Sequence, residues 1–84
     1  MGKYLPLHVF LKEKRRVGIQ KVILSLQEIN EILGFDLPPT ALKTKQWWGN
    51  ENIDKTTHTQ CISWQTAGYK AYPTMDLKEI QFCR

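Results

Sequence analysis

Eight lysines and arginines of this chain stand where they could hold phosphate groups, and half of them fall within five consecutive positions. These cations are Lys12, Lys14, Arg15, Arg16, Lys43, Lys45, Lys70 and Arg84. If their side chains converge on one face, they form an electrostatic footprint for a nucleic-acid backbone. The alternative is a solvated surface, with the first group favoured by the negative end of a helix.

Two adjacent tryptophans and an asparagine, Trp47, Trp48 and Asn50, are the second candidate group. Neighbouring side chains on a helix point about 100° apart, so one ring can be buried while the other faces outward. We expect Trp48 and Trp64 in the core, with Trp47 either covering the core's margin or stacking on a base or sugar. Asn50 either caps the end of a helix or contacts adenine in a major groove. Nearby side chains that could bond phosphates or base edges are Thr40, Thr44 and Gln46.

Residues for catalysis or metal binding are few. His58 and Cys61 are spaced as a possible ligand pair, but His8 and Cys83 are far away in sequence, and structural zinc needs two paired sets. The chain has no Gly-rich phosphate loop. The helical pattern predicts that Cys61 is buried, which argues against its acting as a nucleophile. We therefore expect no enzymatic activity, no cofactor and no metal. The two cysteines are expected to be free thiols.

The elements that position these residues centre on a helix-turn-helix pattern from Ser25 to Asn50. Ser25 and Glu28 have the spacing of a capping box, and the next residues to Leu33 carry one apolar stripe. Gly34 suits a left-handed helix end. Pro38 and Pro39 suit a helix start, which predicts a second helix from about Thr40 to Trp48 or Gly49.

The remaining chain predicts helices and strands around this unit. A first helix is expected over about 6–14 and a short strand over 21–24, followed by the helix-turn-helix pattern. Residues 51–57 are a polar loop, and a further helix should run from about His58 to Ala67 and close at Gly68. Strands over 69–72 and 79–84 form a C-terminal hairpin around a turn at 73–76.

This order predicts an α+β fold of winged-helix type, with helix, strand, helix, turn, helix and helix followed by a β-hairpin. The helix ending at Ala67 is additional to that pattern, so either it or the Thr40–Trp48 helix is a candidate to face the partner. A chain of 84 residues, all of it ordinary in composition, predicts a single domain over 1–84.

Charge and hydropathy narrow the class of protein further. The net charge of +4 and 42% hydrophobic residues are typical of a soluble domain with a mild preference for anionic partners. No run approaches the roughly 20 apolar residues that a bilayer crossing needs. We expect a cytoplasmic protein without a membrane partner.

Several motifs resemble a small bacterial domain of unassigned function that occurs alone or fused to other domains, including nuclease-type ones. They are Pro6-Leu7, Glu28-Ile29, Ile32-Leu33-Gly34, Leu37-Pro38, Ala41, Trp47-Trp48-x-Asn50, Trp64-x-x-Ala67-Gly68 and Phe82-x-Arg84. The resemblance covers nearly the whole chain, and the two tryptophan motifs are its most specific parts. The chain departs from that pattern at Pro39-Thr40 and at Cys61. The resemblance implies one compact domain and, by association, a link with nucleic-acid processing.

These observations predict a non-catalytic module that binds nucleic acid, DNA in preference to RNA, through the second helix of the unit and the cations. Because a single module this small offers few contacts, a homodimer is plausible. The alternative is a protein-interaction module, an adaptor or inhibitor encoded by a mobile element, with Trp47, Tyr69 and Tyr72 as exposed aromatic anchors.

Overall fold

The computed structural model describes all 84 residues and has an α+β architecture, as the sequence predicts. Four helices pack on one side of a three-stranded antiparallel sheet. In chain order the elements are α1 (Leu5–Arg16), β1 (Lys21–Ser25), α2 (Leu26–Leu33), α3 (Pro39–Lys43), α4 (Thr59–Thr66), β2 (Lys70–Pro73) and β3 (Glu79–Cys83), with 3₁₀ turns at Gly2–Tyr4 and Gln46–Trp48. No helix combines the length and the apolar character needed to cross a bilayer.

The predicted capping of α2 is confirmed at both ends. The Ser25 hydroxyl accepts from the Glu28 amide at 3.0 Å, and the Ser25 amide donates to the Glu28 carboxylate at 2.9 Å. Gly34 ends the helix with a φ of +82°, in the left-handed region that glycine adopts without strain. Signals contained within a few residues therefore determine this helix.

The predicted helix from Thr40 to Trp48 is wrong, because α3 stops at Lys43. Thr44 is extended, with φ −128° and ψ 140°, and a separate 3₁₀ turn follows. In a continuous helix the Trp48 ring would lie about two turns beyond Ala41. Instead the Trp48 indole Nε1 donates to the Ala41 carbonyl at 2.9 Å, which requires the chain to fold back.

Aromatic packing in the core explains that fold-back. Trp48 and Trp64 are 1% and 0% exposed, as predicted, and their rings stack with centroids 5.6 Å apart. Phe82 of β3 lies 5.9 Å from the Trp64 ring. Burying aromatic rings of this size is among the largest stabilising contributions available to a small domain, so it outweighs the continuation of a five-residue helix.

The sheet has the order β1-β3-β2, so its central strand is the last one in the chain. Val22, Phe82 and Ala71 lie side by side in one row and are buried on the inner face, which the helices cover. The next row, Ile23, Gln81 and Tyr72, belongs to the opposite face. We call this opposite face, which no helix covers, the outer face; it carries Lys21, Ile23, Ser25, Lys70, Tyr72, Glu79, Gln81 and Cys83.

Candidate nucleic-acid interface

Sheet register brings cations from distant parts of the sequence together. Lys21 on β1 and Lys70 on β2 both pair with Cys83 on β3, so the two lysines flank that cysteine on the outer face. Arg84 follows directly, and its amide donates to the Gln20 carbonyl at 3.0 Å. Two lysines on the edge strands and the arginine that follows β3 therefore lie at one end of the sheet.

The last turn of α1 reaches the same end of the molecule. The Arg15 side chain lies over Gly68, whose φ of +98° starts the path into β2. The Tyr69 hydroxyl donates to the Ile19 carbonyl at 2.6 Å, tying the connection after α1 to the start of β2. We call this region the cationic end; its cations are Lys12, Lys14, Arg15, Arg16, Lys21, Lys70 and Arg84.

One acidic side chain, that of Glu13, lies in the segments that form the cationic end (12–21, 68–70 and 83–84). The Arg16 guanidinium donates to it, with Nε 3.0 Å from Oε2, and this hydrogen bond lowers the pKa of Glu13. The Lys14 ammonium lies 5.2 Å from the Phe10 ring centroid. Glu13 and Arg16 offset each other, which leaves the remaining cations as the net positive charge of this region.

An open groove of about 810 Å³ runs between α1 and the end of α4 beside the cationic end. Lys12, Arg15 and Arg16 line it, together with His8 and Thr66. His8 Nδ1 lies 3.0 Å from the Ser63 carbonyl, which can only accept, so Nδ1 carries the proton. The groove therefore adds cationic surface on the helical side of the molecule, through Lys12, Arg15 and Arg16.

The second half of the predicted site lies elsewhere. Trp47 packs edge-on against Tyr4, the residue just before α1, whereas Arg15 and Arg16 are at the far end of that helix. A twelve-residue helix separates its ends by about 18 Å. Residues predicted to bind nucleic acid that belong to this distant segment are Thr40, Lys43, Thr44, Lys45, Gln46 and Trp47.

A negative group stands in that distant segment. Thr40, Thr44 and Gln46 line an open depression of about 780 Å³ together with Glu51. The Glu51 carboxylate accepts hydrogen bonds from the Thr56 hydroxyl and from His58, and these bonds lower its pKa. The depression is therefore less suited to phosphate than the cationic end.

Trp47 is half-buried and does not project as a free stacking surface. Its ring centroid lies 5.9 Å from that of Tyr4 and 4.7 Å from that of Trp48, both in edge-to-face geometry. Of the two interpretations of Trp47, the structure supports the one in which it covers the margin of the core.

Asn50 neither caps a helix nor remains free to contact a base, so both predictions for it are wrong. Its Oδ1 accepts from Trp64 Nε1 at 2.9 Å and from the Ala71 amide at 2.8 Å. Its Nδ2 donates to the Ala71 carbonyl at 2.9 Å. With both oxygen lone pairs engaged, the amide joins the segment after Trp48 to α4 and β2.

The outer face contains residues that the sequence alone did not single out as site residues. Lys21, Ile23 and Gln81 lie on it with Tyr72, and the side chains of Ile23 and Tyr72 are 47% and 49% exposed. Tyr69, predicted as an exposed anchor, is 1% exposed and is corrected to a core residue. Alternation along each strand was the available signal, but it could not show which residues of different strands are neighbours.

The His58 and Cys61 side chains are not arranged to bind one metal ion together. His58 Nδ1 bonds to the Glu51 carboxylate at 2.9 Å, and the Cys61 thiol donates to the His58 backbone carbonyl at 3.3 Å. Across the 84 residues no three or more His, Cys, Asp or Glu side chains are grouped to hold one metal ion. Both cysteines are free thiols in the structure.

Comparison with known families assigns the chain to one of them. It belongs to the family described as a domain of unknown function, DUF7662, whose pattern matches residues 4–82. The match spans almost the entire domain, in agreement with the resemblance noted from its motifs. No curated protein and no solved structure matches the chain.

Proposed function

We propose that this domain is a non-catalytic nucleic-acid-binding module whose cationic end holds backbone phosphates, with DNA as the first polymer to test. The observation that supports it is the gathering of seven of the chain's twelve lysines and arginines at one end, with Glu13 as the sole acidic side chain among them. Such a patch attracts a polyanion because its field adds over neighbouring charges.

The element order and the β2–β3 hairpin support a winged-helix-like mode of binding, in a modified form. With five residues, α3 is too short to serve as the reading helix that we expected at Thr40–Trp48. Lys70 and Arg84 lie where the hairpin joins the domain, whereas its tip carries Met75 and Asp76. Contact is therefore assigned to the base of the hairpin and the end of α1, which favours phosphates over base edges.

Salt dependence is the experiment that tests this proposal. A fluorescent duplex and a single strand of equal length are titrated with the protein between about 50 and 200 mM salt. With about four phosphate contacts, duplex affinity should fall on the order of 100-fold across this range. A folded protein that binds neither polymer at low salt would overturn the proposal.

A protein-interaction module is the second candidate, favoured by Ile23 and Tyr72 on the outer face. Exposed aromatic and aliphatic side chains at the centre of a surface are typical anchors of protein interfaces. An adaptor or inhibitor that uses them would lose little affinity as salt rises. A cytoplasmic location, in which both thiols stay reduced, suits either function.

A further inference from the structure

We propose that the outer face binds single-stranded nucleic acid, with one base stacked on Tyr72 and the adjoining phosphates held by Lys70 and Lys21. This inference rests on the proposed function and names the form of polymer that the domain prefers.

The outer face is an open platform with an aromatic ring on its edge strand β2. The side chains of Tyr72 and Ile23 are 49% and 47% exposed, and Gln81 lies between them on β3. No polar group of the domain hydrogen-bonds the Tyr72 hydroxyl, whereas the Tyr69 hydroxyl bonds to Ile19. With 49% of Tyr72 exposed, its ring can stack with a base, and Gln81 offers an amide to a base edge.

The spacing along β2 places the Lys70 ammonium beside the Tyr72 ring, where it could hold the phosphate of a stacked nucleotide. Lys70 and Tyr72 are two residues apart on one strand and share a face, so their Cα atoms lie about 6.6 Å apart. A base on Tyr72 therefore has its phosphate near the Lys70 ammonium. Lys21 is two strands away in the same row as Lys70, about 10 Å across the sheet.

Positive and negative side chains lie at opposite ends of the outer face, which would orient a bound nucleic-acid strand. Lys21 and Lys70 are in the row beside the cationic end, and Arg84 follows it. Glu79 lies on the same face at the other end of β3, four residues before Cys83. The backbone would be held at the cationic end, and the bases would extend over Tyr72 and Ile23.

A duplex cannot use this platform in the same way. Its bases are stacked within the helix and expose only their edges, so the Tyr72 ring would meet phosphates and sugars instead of a base face. A single strand exposes the base faces and pays no unpairing energy. The aromatic ring beside two lysines therefore favours unpaired bases over a duplex.

The test compares a fluorescent oligothymidine single strand with a DNA duplex of equal length at one salt concentration. Tyr72→Ala should weaken single-strand binding about 10-fold, within the range of one aromatic–base stack, and leave duplex binding unchanged. Tyr72→Phe should retain most of the affinity, because the ring is kept. Leu42→Ala, which removes a 46% exposed side chain on α3, should change nothing.

Cys83 provides a readout of occupancy on the same face. It is partly exposed between Lys21 and Lys70, whereas Cys61 is 1% exposed and serves as the unreactive thiol. Bound oligothymidine should slow the reaction of Cys83 with a thiol reagent severalfold, with Cys83→Ser as the blank.

Two outcomes separate this inference from the proposed function. Suppose that oligothymidine binds with the same affinity to Tyr72→Ala as to the wild type, and without slowing the reaction of Cys83. Binding on the outer face would then be refuted, and binding through the cationic end would stand. The same holds if the duplex binds more tightly than the single strand. If neither polymer binds the folded protein, both proposals are refuted. The protein-interaction module is then the candidate function that remains.

Discussion

Asn50 and Trp64 are joined by a hydrogen bond of 2.9 Å, from the indole Nε1 to the asparagine Oδ1. The two residues belong to the two most specific motifs of the chain, Trp47-Trp48-x-Asn50 and Trp64-x-x-Ala67-Gly68. Trp48 stacks on Trp64, and Asn50 also bonds to both backbone groups of Ala71. The motifs are therefore two halves of one internal contact, which explains their residue types without a ligand.

Asn50→Ala should destabilise the domain strongly. It leaves the Trp64 indole N–H and both Ala71 backbone groups without partners, at a cost of about 3 kcal/mol. In a domain of this size that lowers Tm by roughly 10–20 °C, measurable by thermal unfolding. Asn52→Ala is the matched control, since the Asn52 amide oxygen accepts one exposed bond from Asp54 and its loss should shift Tm little. Wild-type stability in Asn50→Ala would refute the internal role and restore Asn50 as a residue free to contact a ligand.

Two double variants distinguish the cationic end from the segment around α3. Lys21→Ala/Lys70→Ala and Lys43→Ala/Lys45→Ala each lower the net charge from +4 to +2. The slope of log affinity against log salt is negative. For a single strand, the first double variant should make it less steep by about 1.4, because two phosphate contacts are lost. The second should leave the slope close to that of the wild type. A larger effect from Lys43 and Lys45 would return the binding surface to the segment predicted from the sequence.

Gly68→Ala should lower stability through backbone strain and nucleic-acid affinity through displacement of Arg15. Gly68 and Gly34 both have positive φ, so an alanine at either position costs about 1 kcal/mol of backbone strain. A Cβ on Gly68 would also clash with the Arg15 side chain, whereas nothing lies within 4 Å of one on Gly34. Since the end of the Arg15 side chain is flexible, it should swing away rather than unfold the domain.

Thermal unfolding and salt titration of the two glycine variants test this. Both should lose similar stability, and only Gly68→Ala should also lose affinity for nucleic acid, through the displaced guanidinium of Arg15. Equal affinities in the two variants would exclude Arg15 from the binding surface.

Acid should destabilise the domain through carboxylates whose pKa values are lowered in the folded state. The Ser25 amide donates to Glu28 and lowers its pKa, and the Thr74 hydroxyl together with the Lys78 amide lowers that of Asp76. Such groups stabilise the fold above their unfolded pKa values of about 4, and this stabilisation is lost as the pH falls through the folded values. The urea midpoint should therefore be nearly constant from pH 7 to about pH 5 and decrease below that.

Glu28→Gln assigns part of this acid dependence. Glutamine preserves the capping-box geometry but does not titrate, so the urea midpoint should decrease less between pH 5 and pH 3 than in the wild type. Glu31→Gln is the control, because the Glu31 carboxylate bonds only to the side chain of Gln27. An unchanged acid profile in Glu28→Gln would contradict the assignment.

Elements with local signals were predictable from the sequence, and contacts between distant segments were not. Ser25, Glu28 and Gly34 determine α2 within ten residues, which is why both of its ends were predicted correctly. The end of α3 depends on Trp48 reaching Trp64, sixteen positions further on, and no helix propensity encodes that contact. The cationic end depends on the pairing of Lys21 with Cys83, a register that becomes visible only when the sheet is assembled.

The bonds from Asn50 to Ala71 also determine where the sheet can grow. They occupy backbone groups on the side of β2 that faces away from β3, so an incoming strand finds no free donor or acceptor at that residue. No side chain engages the backbone of Lys21 to Leu24 in this manner, which leaves β1 as the open edge. Self-association by strand addition would therefore begin at β1, where the charge of Lys21 opposes the approach of a second copy.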